Sequence, residues 1–426
     1  MSAELSPSSN TGPQSAADID AAAKRIAGVV TPTPLQLCDR LSAATGATVY
    51  LKREDLQTVR SYKLRGAYNL LVQLSDEEIS AGVVCSSAGN HAQGFAYACR
   101  ALGIHGRVYV PAKTPKQKRD RIRYHGGEFI ELIVGGSTYD LAATAALDDV
   151  ARTGATLVPP FDDPRTIAGQ GTIAVELLDQ LDDEPDLVVV PVGGGGCIAG
   201  IATYLAERTT NTAVLGVEPA GAAAMMAALA AGGPVTLEHI DQFVDGAAVN
   251  RAGTLTHAAL AAVGDMVSIT TVDEGAVCTA MLDLYQNEGI IAEPAGALSV
   301  AGLLEADIEP DSTVVCLVSG GNNDVSRYGE VLERSLVHLG LKHYFLVDFP
   351  QEPGALRRFL GEVLGPSDDI TLFEYVKRNN RETGEALVGI ELGSAADRDG
   401  LLDRMRATKI HVEALEPGSP TYRYLL

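Results

Sequence analysis

The sequence predicts an α/β fold, on three observations. Short runs rich in Val, Ala and Gly alternate with helical periodicity up to about residue 340. Three of these runs, Gly82-Val83-Val84-Cys85, Leu187–Val192 and Thr313–Val318, are apolar throughout, as buried strands are, and each breaks into a turn of Gly, Ser or Asn. After that point the order becomes strand–helix–strand–strand–helix–strand, the pattern of a separate, small ferredoxin-like α+β unit over residues 341–426.

With 426 residues, two or three domains are expected, and 46% hydrophobic residues are ample for large cores. The formal net charge of −22 repels nucleic acid and anionic lipid, so neither is an expected partner. Cysteines stand at 38, 85, 99, 197, 278 and 316, with no C-x-x-C pair. They read as reduced, buried hydrophobes. No apolar run reaches membrane-span length, and the N-terminus has no basic n-region or apolar h-region, so a cytoplasmic location is expected. Residues 1–17, rich in Ser, Asn, Pro and Ala, read as a disordered tail.

Residues 18–29 form an amphipathic helix with Asp18 or Asp20 near its start, ended by Thr31-Pro32-Thr33-Pro34. Leu35 to Ala44 reads as a short helix and Thr48–Lys52 as a strand; Arg53-Glu54-Asp55 then leads by a loop to Ser61-Tyr62-Lys63-Leu64-Arg65-Gly66-Ala67. This stretch opens a helix whose Leu64, Ala67, Tyr68, Leu71 and Leu74 share one face. Lys63 borders that face in the first turn. Apolar surroundings and the positive end of the helix dipole both favour its free amine, the form that condenses with an aldehyde. The plain alternative is a lysine snorkelling at a helix start.

Strand 82–85 breaks at Ser86-Ser87-Ala88-Gly89-Asn90-His91 before a helix over 92–102. Such a turn points backbone N–H groups outward, ready for a carboxylate or phosphate, and Asn90 adds a neutral amide; an ordinary capped βα turn is the alternative. Strands 107–111 and 128–132, helix 138–153 and strand 156–158 complete a smaller α/β subdomain over about 55–155. The basic helix 116–125 reads as a solvated face. A helix over 169–181 opens at Gly169-Gln170-Gly171-Thr172. Strand 187–192 then runs into Gly193-Gly194-Gly195-Gly196-Cys197 and a helix over 198–208. Four glycines there let backbone amides wrap an anion.

Strand 213–217 ends at Glu218. Gly194-x-Gly196-x-x-Ala199, with Glu218 at about the spacing of a ribose-binding acid, fits a dinucleotide fingerprint, so an NAD(P)-dependent oxidoreductase is a rival. That reading leaves Lys63 and Asn90 without a role. Helices follow over 220–232 and from Asp273-Glu274 to Glu288. Ile290 to Ala297 turns into another helix, and strand 313–318 ends in Ser319-Gly320-Gly321-Asn322-Asn323. In the tail, strands are expected at 343–349, 370–378, 385–392 and 410–415, with helices at 355–364 and 397–407.

Ser61–Ala67, Ser86–His91, Gly193–Cys197, Glu293-Pro294-Ala295-Gly296 and Ser319-Gly320-Gly321-Asn322 occur together, in order. In this the chain resembles the threonine dehydratase (threonine ammonia-lyase) family, over essentially residues 18–426. The resemblance implies pyridoxal-phosphate fold type II, two twisted open α/β sheets, over 18–340, and an ACT-like regulatory domain over 341–426. It implies pyridoxal 5'-phosphate as cofactor, held on Lys63 as a Schiff base. Asn90 would bond the ring hydroxyl, Gly193, Gly194, Gly195, Gly196 and Cys197 would cradle the phosphate, and Ser319 would face the ring nitrogen. It further implies an amino-acid substrate, an amino-acid effector (isoleucine), and a homo-oligomer, commonly a tetramer. The family often has an aliphatic residue where Cys197 stands, which changes little if the contact is backbone.

The residues permit the chemistry. Displaced Lys63 can act as base at the α-carbon. The turn of Ser87, Ala88, Gly89, Asn90 and His91 would hold the substrate carboxylate. Ser319, a neutral hydroxyl, stabilises a ring-nitrogen cation less than a carboxylate would, which suits prompt loss of a β-hydroxyl. The expected reaction is deamination of L-threonine to 2-oxobutanoate and ammonia, the first step of isoleucine biosynthesis under isoleucine feedback. A serine/threonine racemase or an L-serine dehydratase of the same fold is the closer rival. The related serine racemases carry a serine as second base where this chain has Ala88, and a metal-binding aspartate where it has Ala224, so elimination is favoured and no metal is expected. An amino-acid sensor with a dead catalytic domain is contradicted by intact Lys63, Asn90 and Ser319. In the tail, the Pro350–Gly354 turn precedes a helix start that could hold an effector carboxylate. Pro353, Gly354 and Tyr375 are the candidate contacts there.

Overall fold

The computed structural model describes residues 15–375, 382–408, 410–416, 419 and 421–422. The chain divides into two units after Asn323.

The first unit holds two open sheets. Six strands lie in the order Leu35–Leu37, Thr48–Arg53, Thr313–Val318, Leu187–Pro191, Ala213–Pro219 and Val267–Val272. All neighbours pair parallel except the edge strand Leu35–Leu37. The second sheet is wholly parallel, in the order Ile130–Val134, Gly106–Val110, Val83–Ser86 and Thr156–Leu157. Val188, Val190, Val314 and Val315 are buried on the large sheet, as expected of parallel strands covered on both faces by helices.

Four local readings are corrected. Leu35–Ala44 is not one helix: Leu35–Leu37 pairs with Thr48–Arg53, and the helix is Asp39–Thr45. The helix expected at Gly169 opens at Pro164, where Asp163 accepts the Arg165 N–H and proline tolerates the first turn. Gly169 and Gly171 are therefore interior. A Cβ on Gly169 would lie 2.6 Å from the Gly66 Cα, so the two helices pass at backbone contact. Third, Ser15 caps the helix Ala16–Ile26, leaving only residues 1–14 of the expected tail, and those lie outside the described residues. Fourth, the helix Lys63–Leu71 has no solvent face, since every residue from Leu64 to Leu71 is buried.

The second unit is a four-stranded antiparallel sheet ordered Asp369–Tyr375, Thr383–Glu391, Lys342–Pro350 and His411–Ala414. Helices Ala355–Val363 and Arg398–Ala407 cover it through Phe345, Phe359, Val388 and Leu401. This is the ferredoxin-like order. The expected strand end at 376–378 falls outside the described residues. The helix Tyr328–His338, which precedes the expected boundary at 340, belongs to this unit: its Glu333 accepts the Tyr344 hydroxyl at 2.6 Å and pairs with Lys342. All six cysteines are buried and none is in a disulfide, and no helix among the described residues is long and apolar enough to cross a membrane.

Candidate active site

Lys63 is the first residue of its helix, and no side chain caps that helix start. The approach is fixed by the end of strand Thr313–Val318. Ser61 bridges to Gly320, and the Tyr62 N–H donates to the Ser319 carbonyl at 3.2 Å. The Lys63 Nζ donates to the Pro160 carbonyl at 3.0 Å and lies 5.1 Å from the Tyr62 ring centre. Burial pulls its ammonium down to about 8, against the opposing pull of Cys197 and Glu293. About a tenth of the amine is then free at pH 7 and about half at pH 8, far more than an ordinary lysine offers.

Beneath it is a charge cluster that the sequence reading passed over. Arg65 meets Glu54 at two points, 2.7 and 2.9 Å, and Glu176 at 2.7 Å. Lys52 closes the cluster on Glu176 at 2.6 Å, and the Thr33 hydroxyl donates to Glu54 at 2.6 Å. Arg65 and Glu54 have no exposed side-chain surface. Glu54, read as loop, begins a 3-10 turn after strand Thr48–Arg53. No local pattern marks it, because its ion-pair partner Arg65 is 11 positions away and the Thr33 hydroxyl 21.

The second station opens the helix Asn90–Leu102, with Gly89 at its cap and no side-chain cap bond. A Cβ on Gly94 would stand 3.0 Å from the Lys63 carbonyl carbon, so glycine there lets the two helix starts touch. Asn90 Nδ2 donates to Glu293 at 2.5 Å, and Asn322 Nδ2 donates to Asn90 Oδ1 at 2.7 Å. His91 is buried, with Nε2 2.8 Å from the Val158 carbonyl. A carbonyl only accepts, so Nε2 carries the proton. Burial and Lys63 push the imidazole down to about 4, keeping it neutral. Ser87, Ala88 and Gly89 form the turn before it, where the Gly89 N–H donates to the Ser87 hydroxyl at 3.3 Å.

The glycine loop is the third. Gly195 has φ 93°, a conformation that favours glycine, and caps the helix Gly196–Arg208. Its first N–H groups have no partner within the helix. A Cβ on Gly194 would stand 2.3 Å from the Phe161 ring, and one on Gly193 would stand 2.8 Å from the Ala247 carbonyl. The loop is packed so closely that bare backbone forms its lining. Thr256 donates to the Gly194 carbonyl at 2.7 Å, and Asp162 caps the helix start that carries Thr256. Phe161, Asp162 and Thr256 were not foreseen; only the Pro159-Pro160-Phe161-Asp162-Asp163 run hinted at an ordered loop.

Ser319 is buried, and its hydroxyl donates to the Ala295 carbonyl at 3.2 Å. Donation to any other acceptor requires the hydroxyl to swing away from that long bond. Glu218, fully buried, spends both oxygens on the Met225 and Met226 N–H groups at 2.7 and 2.8 Å. It caps a helix, which leaves the dinucleotide reading without its ribose acceptor. Among the described residues no group of three or more His, Cys, Asp and Glu is placed to hold a metal ion.

A lysine amine with depressed pKa, an uncapped βα turn carrying Asn90 and a side-chain-free helix start together fit an aldehyde cofactor bearing a phosphate. They define a pyridoxal-phosphate-dependent enzyme, and residues 26–320 match the family model for such enzymes. Residues 333–425 match the model for the C-terminal regulatory domain of threonine dehydratase. The chain is 90% identical to the L-threonine dehydratase biosynthetic IlvA of Mycobacterium bovis, over 100% of both chains. Among solved structures it resembles threonine deaminase isoform 2 of Solanum lycopersicum, with TM-score 0.70, 36% identity, and 78% of this chain and 98% of that one covered. Maize serine racemase follows at TM-score 0.69 and 31% identity, covering 77% of this chain and 99% of that one. The chain belongs to the threonine dehydratase family, in its biosynthetic form with a regulatory domain.

Proposed function

We propose that this chain deaminates L-threonine to 2-oxobutanoate and ammonia as the first step of isoleucine biosynthesis, with isoleucine as feedback effector on the C-terminal unit. The observation that carries the reading is the Lys63 amine, drawn down to about 8 in contact range of Pro160 and backed by the Arg65 cluster. Lys63 would hold pyridoxal phosphate covalently, the Gly193–Cys197 backbone would hold its phosphate, Asn90 its ring hydroxyl, and Ser319 would face its ring nitrogen. The cofactor, when bound, withdraws electrons from the α-carbon of an amino acid.

The chain's own residues do the rest. The Ser87–His91 turn binds the substrate carboxylate through backbone N–H groups at the helix start. Neutral His91 orients this turn without adding charge. Lys63, released as a free amine, takes the α-proton. Ser319, a hydroxyl already engaged with Ala295, supplies no negative charge to hold a ring-nitrogen proton. That favours loss of the β-hydroxyl over reprotonation. The likeness to serine racemase supports a second reading, and Ala88, with no exchangeable proton, weighs against it. The test is 2-oxobutanoate release from L-threonine, with and without isoleucine. Activity that isoleucine lowers supports the proposal; absence of 2-oxobutanoate, or racemised product alone, rejects it.

A further inference from the structure

Glu293, the first residue of the Glu293-Pro294-Ala295-Gly296 motif, has no part in the reaction described above, yet it stands inside the site. Glu293 precedes the helix Pro294–Glu305 without capping it through its side chain. The residue is only 6% exposed, and its Oε1 accepts the Asn90 amide at 2.5 Å. Its backbone N–H donates to the Gly320 carbonyl at 3.1 Å, and a Cβ on Gly320 would lie 2.2 Å from Oε1. Only glycine beside Ser319 leaves the carboxyl group this place. On the other edge of the amide, Asn322 donates both to Asn90 Oδ1 at 2.7 Å and to the Val59 carbonyl at 2.8 Å. The two partners together fix the Asn90 amide, with its oxygen toward Asn322 and its amino group toward Glu293.

Resting on the function proposed above, we propose that Glu293 is a positioning residue of this site: by accepting from the Asn90 amino group it fixes that amide's orientation, and it supplies negative charge that acts on the Lys63 amine. The charged and titratable groups facing Glu293 are Asp245, Lys118, Lys63 and Tyr62. Burial, with Asp245, raises its carboxyl to about 7, while the Asn90 amide, Lys118 and the Asn322 backbone oppose that rise. Above that pH the ionised carboxylate holds the Lys63 amine more protonated than burial alone would.

The experiment compares the full-length chain with its Glu293→Gln variant, both stripped of cofactor. Acylation of Lys63 is followed by peptide mass spectrometry across about pH 6 to 9. The variant is expected to label faster between about pH 7 and 8, where the parent amine is still largely protonated, approaching about tenfold for each unit by which the lysine pKa falls. The two rates should meet again above about pH 9, where both amines are free. Below about pH 6 the two profiles should converge, because Glu293 is then neutral in the parent as well. Coincident profiles at every pH overturn the proposal, since a carboxylate acting only as packing leaves the amine's titration unmoved. If the Gln variant does not fold, Glu293→Asp keeps the charge and is expected to keep the parental Lys63 profile; a profile displaced toward faster labelling overturns it. Failure of the parent chain to bind pyridoxal phosphate at Lys63 would instead count against the functional reading itself.

Discussion

Arg65 and Glu54 form a two-point ion pair with no exposed side-chain surface on either, and Arg65 stands two residues beyond Lys63. Strand Thr48–Arg53 ends where Glu54 begins, and Glu176 lies on helix Pro164–Gln180. Three elements are therefore tied to the helix that presents the amine. Burying two charges is costly, and this pair is tolerated because Thr33, Gln57 and Thr172 bond to it as well.

Removing one partner should be severe. Arg65→Met leaves Glu54 buried without its paired cation, at a cost of roughly 3–5 kcal/mol. Arg65→Lys restores charge but not the two-point geometry, and should recover only part of that loss. Urea unfolding monitored by circular dichroism checks both. A loss in Arg65→Met within about 0.5 kcal/mol, as for an ordinary surface substitution, would count against a structural role for the cluster.

Gly195→Ala should weaken pyridoxal-phosphate binding well beyond its effect on stability. Its φ of 93° strains any other residue, and the new Cβ would meet the Met225 methyl at 2.3 Å. Gly154→Ala is the control, since it shares a positive φ of 73° but has nothing within 4 Å. It should cost about 1 kcal/mol of stability and leave cofactor affinity unchanged. Equal affinity losses in the two variants would remove the glycine loop from the cofactor site.

The depressed Lys63 pKa also makes a stability prediction. The folded chain holds this proton only up to about 8, the unfolded chain up to the ordinary 10.5. Between those values the unfolded state binds more protons, so stability rises with pH; the penalty is full below about 8. Lys63→Met in cofactor-free protein should therefore be more stable than the parent at pH 7, by up to roughly 3 kcal/mol, less what the lysine's residual exposure relieves. The gap should close above about pH 10. Thermal melts at the two pH values check it, and a gap that does not depend on pH contradicts it.

Truncation after Asn323 should leave a chain that still deaminates threonine and no longer responds to isoleucine. Truncation after Leu339 should behave worse in solution. It strands the helix Tyr328–His338, whose Glu333 loses Lys342 and Tyr344, and whose Val331 loses its cover. Light scattering and turnover of the two truncated chains distinguish them. Equal solubility would contradict placing that helix in the second unit.

What the sequence made legible was local. Lys63 at a helix start, the four glycines between strand and helix, and the period change near residue 340 are each written in a few neighbouring residues. Leu35–Leu37 was misread because a three-residue edge strand has no period of its own and exists only through pairing with Thr48–Arg53. The Pro164 helix start was missed because the interior glycines 169 and 171 looked like punctuation, whereas they serve close helix contact. The Arg65 cluster, Phe161 against Gly194, and Glu293 against Asn90 join positions far apart in the chain, and no local pattern announces such pairs.

The central claim is that Lys63, and no other lysine, carries the cofactor. Borohydride reduction of the pyridoxal-phosphate-loaded full-length chain, followed by peptide mass mapping, tests it most directly. The account predicts a pyridoxyl-phosphate adduct on the peptide containing Lys63, absent from Lys63→Ala. An adduct on Lys52, Lys118 or any other lysine, or an unchanged adduct in Lys63→Ala, would contradict it.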